Sequence, residues 1–363
     1  MAPRHSAAIR QDGSLWTWGN NEFGQLGTGT TDVHLLPTEV LPGSRWQSVT
    51  TTYNTTLAVR QDGTLWLWGN QQLLPQQVGT LTTWRTVSSG YAHYLALQQN
   101  GTLWAWGSNN RYQLGDGTTT ESAVPIQVKP GTLWKSIDAG GNQCVGIQQN
   151  GRLWYWGSYG DNRSVLVLLE LWPGTKWLQA SAGAGHIAAV QEGGALWVAG
   201  DNTFGQLGNG MTLTLNYVSN IWKNAHHVQA GTQWRSVLAL DEHTVAVRQD
   251  GSLWAWGNNA LGQTGSAALF PSQVAVSTPR QVLSLGWRTV STSRTHTVAV
   301  RQDGTLWAWG SNLRGQLGNG TTTARSTPTQ VDTRTTWRTA SAGPNYTVAV
   351  QQDGTLWTWG ANE

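Results

Sequence analysis

The stretch DGTLWAWG at residues 303–310 recurs along the chain until it has appeared eight times. The other copies are DGSLWTWG at 12–19, DGTLWLWG at 62–69, NGTLWAWG at 100–107 and NGRLWYWG at 150–157. They continue as GGALWVAG at 193–200, DGSLWAWG at 250–257 and DGTLWTWG at 353–360. Successive copies begin 50, 38, 50, 43, 57, 53 and 50 residues apart, a period of one propeller blade. Asp303 and Gly304 supply the chain reversal of a β-hairpin. Trp307 and Trp309 then leave one face of the following strand, and Leu306 and Ala308 leave the other. Both faces are apolar, so both are expected to be buried between neighbouring blades. Each tryptophan can bury on the order of 150–250 Å², enough for a ladder of them to supply most of the core.

Outward from the hairpin, each unit reads as four short strands. A Trp-x-x-Val strand such as Trp287 to Val290 leads through a tight polar loop to an alternating strand such as Thr297 to Val300. The hairpin follows, and a longer connection, often Gly-Gln-Leu-Gly, leads to the fourth strand. Of the 24 tryptophans, 15 sit in the hairpin strand and seven open the Trp-x-x-Val strand. Those 22 are structural by position, and Trp172 and Trp222 fall outside the pattern.

Composition agrees with an all-β chain. There are 44 Gly among 363 residues, and charged residues make up only 11%, which leaves little for long amphipathic helices. The net charge is +3, and the arginines are scattered rather than clustered, so no nucleic-acid partner is expected. Cys144 stands alone, which excludes an intrachain disulfide and a thiolate metal cluster. The opening Met-Ala-Pro-Arg-His has no apolar signal core and no stretch has membrane-spanning length. The expectation is a cytoplasmic product by default, with no membrane partner.

The order of polar-loop His, alternating strand, Asp-Gly, Leu-Trp-x-Trp-Gly and Gly-Gln-Leu-Gly resembles the RCC1 (regulator of chromosome condensation) repeat over nearly the whole chain. Gly24-Gln25-Leu26-Gly27, Gly205-Gln206-Leu207-Gly208 and Gly315-Gln316-Leu317-Gly318 match fully. Gln113-Leu114-Gly115 and Gly262-Gln263-Thr264-Gly265 match in part. The units after Gly69 and Gly157 lack this loop, which accounts for the short steps of 38 and 43. The resemblance implies a seven-bladed β-propeller, a single domain over residues 1–363, with one terminal hairpin, 1–19 or 346–360, surplus; an incomplete eighth blade or a truncated gene product would also fit the eight hairpins. The family's jobs diverge: nucleotide exchange on a small GTPase, ultraviolet sensing, β-lactamase inhibition and partner binding. The exchange factor's inserted wedge has no counterpart here. Gly286, Trp287, Arg288 and Thr289 resemble the photoreceptor's tryptophan loop but open another strand.

One repeat position, seven residues before each turn, reads His5, Thr55, His93, Gln143, His186, His243, His296 and Tyr346. The resemblance implies that it lies near a central opening, where His commonly braces neighbouring backbone. Imidazole is also the common Zn²⁺ ligand, so His5, His93, His186, His243 and His296 are the candidate ligands for zinc or another divalent metal. Glu242 and Asp241 are then candidate catalytic bases for hydrolysis by a metal-bound water. Tyr53, Tyr91, Asn142, Arg294, Asn345 and Tyr346 decorate the same loops and suit binding of a protein or small-molecule ligand. Asn54 sits among them. His226 and His227 fall in the longest unit as solvated loop residues, and the Asp-Gly aspartates are turn formers. Asn-x-Ser/Thr at Asn54, Asn100, Asn162 and Asn345 partly follows from the repeat. No phosphate loop, nucleophile elbow or dinucleotide fingerprint occurs. The favoured reading is a non-catalytic scaffold presenting loop residues to a ligand; the alternative is a metal-dependent hydrolase.

Overall fold

The structure, a computed structural model, describes residues 5–159, 163–212, 225–266, 274–283 and 286–361. Asn162 and Trp222 lie outside these. The regular structure of the described residues is entirely β. The chain divides into two compact units, residues 1–174 and 175–361.

The first unit holds four antiparallel sheets, each in simple sequence order. The first comprises β1 (His5–Ile9), β2 (Leu15–Gly19) and β3 (His34–Glu39). The second comprises β4 (Trp46–Thr51), β5 (Thr55–Arg60), β6 (Leu65–Gly69) and β7 (Gln72–Gln77). The third is β8 (Trp84–Ser89), β9 (His93–Gln98), β10 (Leu103–Gly107) and β11 (Ser122–Val128). The fourth is β12 (Trp134–Gly140), β13 (Gln143–Gln148), β14 (Leu153–Tyr159) and β15 (Arg163–Leu171).

The second unit repeats the plan. Its first sheet runs β16 (Trp177–Ala182), β17 (His186–Gln191), β18 (Leu196–Gly200) and β19 (His226–His227). Next come β20 (Trp234–Leu240), β21 (His243–Arg248), β22 (Leu253–Asn258) and β23 (Ala275–Leu283). Then β24 (Trp287–Thr292), β25 (His296–Arg301), β26 (Leu306–Gly310) and β27 (Arg325–Gln330) form the seventh sheet. The eighth is β28 (Trp337–Ala342), β29 (Tyr346–Gln351) and β30 (Leu356–Gly360).

The count of seven blades is therefore corrected to eight. Neither terminal hairpin is surplus. A hairpin that carries its full donor and acceptor ladder needs only one flanking strand to make a sheet. β3 supplies that strand to the first hairpin and β28 supplies it to the last.

Local chemistry explains the hairpins. In the second sheet Arg60 and Thr64 close the turn by a backbone bond of 2.9 Å. Asp62 Oδ1 accepts from the Thr64 amide at 2.9 Å and from its hydroxyl at 2.6 Å. The Thr64 hydroxyl oxygen in turn accepts the Trp66 indole N–H at 2.8 Å. Gly63 sits at φ +81°, and a Cβ there would lie 2.0 Å from the Thr82 carbonyl oxygen. Its own carbonyl accepts the amide of Trp84 at 3.0 Å and so ties one sheet to the next.

The core is directional. Within each unit, the tryptophan face of a sheet packs on the aliphatic face of the sheet before it. Trp46 and Trp68 meet Leu15 and Val40, and Trp287 and Trp309 meet Val245, Val247 and Leu253. The opening tryptophan stands edge-on to both hairpin tryptophans, as Trp287 does to Trp307 at 6.5 Å and to Trp309 at 6.2 Å. Such pairs add to area burial because ring edges and faces carry opposite partial charge. Several of the scattered arginines cover the outer, half-buried tryptophan. Arg60 lies 4.6 Å over Trp66 and Arg248 3.7 Å over Trp254, so these cations have a structural partner.

Candidate functional site

The repeat histidines sit between sheets and are buried. His5 Nε2 lies 2.6 Å from Thr56 Oγ1 on the next sheet. Thr56 donates its one hydroxyl proton to the Gln25 carbonyl at 2.8 Å, so toward His5 it accepts. His5 must then carry its proton on Nε2. The Gln25 carbonyl also accepts the Trp68 indole N–H at 2.9 Å. Histidine, loop carbonyl, hydroxyl and indole thus form one clamp across the joint.

The same clamp recurs. His186 meets Thr244 at 2.8 Å and His296 meets Thr347 at 2.9 Å. Those hydroxyls reach the carbonyls of Gln206 and Gln316, which also take the indole protons of Trp256 and Trp359. His243 acts one residue further, through Thr292 at 2.7 Å and then Thr297, which donates to Gln263. His93 meets the Cys144 thiol at 3.0 Å. Burial lowers the pKa of His5, His186 and His296 to about 3 and of His93 and His243 to about 4. The rings are neutral. Burial also pushes the Cys144 thiol well above its usual range, which suppresses the reactive thiolate.

In the clamp a side-chain hydroxyl or thiol stands between the imidazole and the loop carbonyl. The clamp also fixes the tautomer, with the donated proton on Nε2 and the lone pair on Nδ1. Among the described residues no three His, Cys, Asp or Glu side chains come together to hold a metal. The five histidines lie one to a sheet. Glu242 accepts from Asn258 Nδ2 at 2.7 Å, and Asp241 reaches His186 through its main chain.

The loops that complete the clamp are braced internally. Asn21 Oδ1 accepts the Leu26 amide at 2.9 Å, and Gln25 Oε1 accepts that of Phe23 at 2.8 Å. Gly27 has φ +71°, and a Cβ there would stand 2.8 Å from the Trp68 indole nitrogen.

The second sheet lacks such a loop. Only Asn70 and Gln71 join β6 to β7, both with positive φ (+49° and +78°). Tyr94 takes the place of the clamp threonine and Thr55 that of the histidine; their hydroxyls meet at 2.7 Å. The Tyr94 ring stacks on Trp106 at 5.4 Å. Beyond it lies a cleft of about 1070 Å³ between the second and third sheets. Tyr53, Asn54, Gln76, Tyr91, Trp106 and Ala123 are among its lining. Two buried polar atoms of that lining, the Trp106 indole N–H and Asn54 Oδ1, have no hydrogen-bond partner.

Of the six residues expected to bind ligand, Tyr53 and Tyr91 meet in this cleft. The other four lie elsewhere. Asn142 Oδ1 accepts from Gln113 Nε2 at 3.3 Å, the Arg294 carbonyl accepts from Gln263 Nε2 at 3.3 Å, and the Asn345 carbonyl accepts the Ala361 amide at 2.9 Å. Tyr346 lays its ring over Gly343. His226 and His227 form β19, and His227 stacks on Trp197 at 5.6 Å rather than standing free in a loop. Sequence reasoning missed the cleft itself. The 38-residue step after Gly69 signals it, once a missing loop is read as missing packing.

Two models of the regulator of chromosome condensation (RCC1) repeat match the chain, one at residues 12–59, 100–147 and 303–350, the other at 84–113, 241–263 and 287–316. Together they cover more than half of it. The ultraviolet-B receptor UVR8 of Arabidopsis thaliana is 32% identical over 137 residues, 36% of this chain and 28% of that protein. The chain spans between 3% and 28% of the length of the curated relatives it matches. Among solved structures, human WBSCR16 superposes with a TM-score of 0.72 at 18% identity, covering 93% of this chain and 99% of that one. Prp20p of Saccharomyces cerevisiae, a structure reported with binding properties toward Gsp1p and histones, gives 0.71 at 17% identity, covering 94% and 92%. At such identities the likeness concerns fold. No helix among the described residues is long and apolar enough to cross a membrane.

Proposed function

Since the chain belongs to the RCC1 repeat family, we propose that it is a non-catalytic binding scaffold whose partner is a protein held in the cleft between the second and third sheets. The observation that carries this reading is the cleft itself. It is as large as a ligand site of about 300–1,000 Å³ and lined by aromatic and amide side chains. Such groups give contact area and orientable hydrogen bonds at little conformational cost. Glu121 is the one charged side chain in the lining, which disfavours anionic ligands such as nucleic acid or phosphates. The binding of Gsp1p and histones by Prp20p gives a family precedent for protein partners.

A photo-crosslinking amino acid at Tyr91, half exposed on the cleft rim, tests the proposal, with Leu36 on β3, which is 78% exposed, as control. We expect a protein adduct in cells at position 91 and none at 36. No adduct at 91, or equal adducts at both positions, would overturn it.

A further inference from the structure

We infer that the cleft takes a glycine-turn peptide segment of the partner, one that imitates the Gly-Gln-Leu-Gly loop this joint lacks. The inference rests on the binding reading above and names the chemistry of the partner. Its basis is the repeat. At the first joint, residues 20–33 fill the space between sheets. The Gln25 carbonyl takes the Trp68 indole proton at 2.9 Å, and the Gly29 amide donates to the Leu73 carbonyl on the outer strand at 3.0 Å. The joint between the fifth and sixth sheets repeats both bonds, with Gln206 and Trp256 at 2.8 Å and Gly210 and Ser277 at 2.8 Å.

The joint between the second and third sheets keeps the receptors for both bonds. Trp106 holds the position of Trp68, and its indole N–H has no partner. Ala123 holds the position of Leu73: each follows the residue that pairs with the strand-ending glycine, Ser122 with Gly107 and Gln72 with Gly69. Ala123 lines the cleft. Asn54 Oδ1 adds an acceptor without a donor. One buried donor and one buried acceptor, each without its hydrogen bond, keep their desolvation cost uncompensated. A peptide, which carries C=O and N–H groups in alternation, satisfies both.

Tyr94 stands beside this receptor: its ring stacks on Trp106 at 5.4 Å and its hydroxyl meets that of Thr55 at 2.7 Å. Replacing Tyr94 by threonine would recreate the Thr56 and Trp68 pair of the first joint.

The probe is a synthetic peptide of residues 20–31 of this chain, NNEFGQLGTGTT, titrated calorimetrically into the full chain against a scrambled control. We expect a Kd below about 1 mM, roughly tenfold tighter binding by Tyr94→Thr, and at least tenfold weaker binding by Trp106→Phe, which keeps the ring and loses the N–H. A second variant carries residues 20–33 grafted in place of Asn70 and Gln71 together with Tyr94→Thr. It should lose peptide binding and gain thermal stability. Absent binding to the wild-type chain, even with binding by Tyr94→Thr, would overturn the inference, as would equal binding by Trp106→Phe. Self-association that the peptide competes away would assign the cleft to a second copy and overturn the choice of partner. Crosslinking at Tyr91 with no peptide binding would leave the scaffold reading standing and remove only this one.

Discussion

The joint between the first and second sheets and the joint between the second and third have the same hydrophobic plan and opposite polar solutions. In the first, Trp68 packs on Leu15 and its N–H finds the Gln25 carbonyl. In the second, Trp106 packs on Leu57, Val59 and Leu65, and its N–H finds nothing. The difference teaches that the clamp is a matched set. Where the Gly-Gln-Leu-Gly-type loop is present, the repeat position holds His5, His93, His186, His243 or His296. Where the loop is missing after Gly69 and Gly157, that position holds Thr55 and Gln143. A neutral imidazole donor is useful only beneath a hydroxyl that already has a carbonyl to serve. With no carbonyl, a buried imidazole would add desolvation without a compensating chain of bonds.

Acid should break the loop-bearing joints and have the largest effect. The five histidines have native pKa values near 3 to 4 against an ordinary value of 6.5. Between those limits the unfolded chain binds protons that the folded chain refuses, so stability rises with pH. It is fully present above about pH 6.5 and lost as pH falls toward 4, at up to about 3 kcal/mol per histidine. Denaturant midpoints between pH 7.5 and 4.5 measure this. His296→Gln, which installs the residue found naturally at position 143, should make the slope shallower, and a flat profile would refute neutral burial.

Truncating a clamp tryptophan comes next. Trp309→Ala should cost about 3–5 kcal/mol and loosen the adjoining sheets first, since repeat stability is largely between neighbours. Trp309 also donates to Gln263 at 3.0 Å, whereas Trp106 makes no such bond. Trp106→Ala should therefore cost less by about 1 kcal/mol, the net worth of one hydrogen bond. Equal losses in equilibrium unfolding would show that the missing loop bond has no energetic meaning.

The finest test swaps single polar groups. Thr56→Val removes the hydroxyl that meets His5 Nε2 and its bond to the Gln25 carbonyl, at a cost of about 1–3 kcal/mol. Tyr94→Phe removes one hydroxyl pair with Thr55 and should cost about 1 kcal/mol or less. The reverse order in thermal midpoints would make the tyrosine joint the stronger one.

Much of the blade was legible in advance. Asp62, Gly63 and Thr64 announce a turn because the side chain that closes it lies two residues from the amide it accepts. Trp66 and Trp68 share a face because a strand alternates. The role of His5 was half legible: bracing is what the family resemblance implies, but its burial and its acceptor 51 residues away come from the structure. The metal reading arose from treating five equivalent histidines as neighbours, whereas each is held against a different sheet. Tyr53 and Tyr91 were singled out as loop aromatics, yet nothing local distinguishes them from Tyr346, which packs on its own turn.

The sequence by itself determined the β-hairpins, their register and the burial of the tryptophans, because turn closure and strand alternation act over two to five residues. Only the tertiary structure decided that there are eight sheets, that imidazoles serve hydroxyls, and that a missing loop leaves a cleft. Those outcomes depend on what the adjoining sheet supplies. A buried donor acquires its meaning from the acceptor stacked against it, and that acceptor is chosen by packing between repeats.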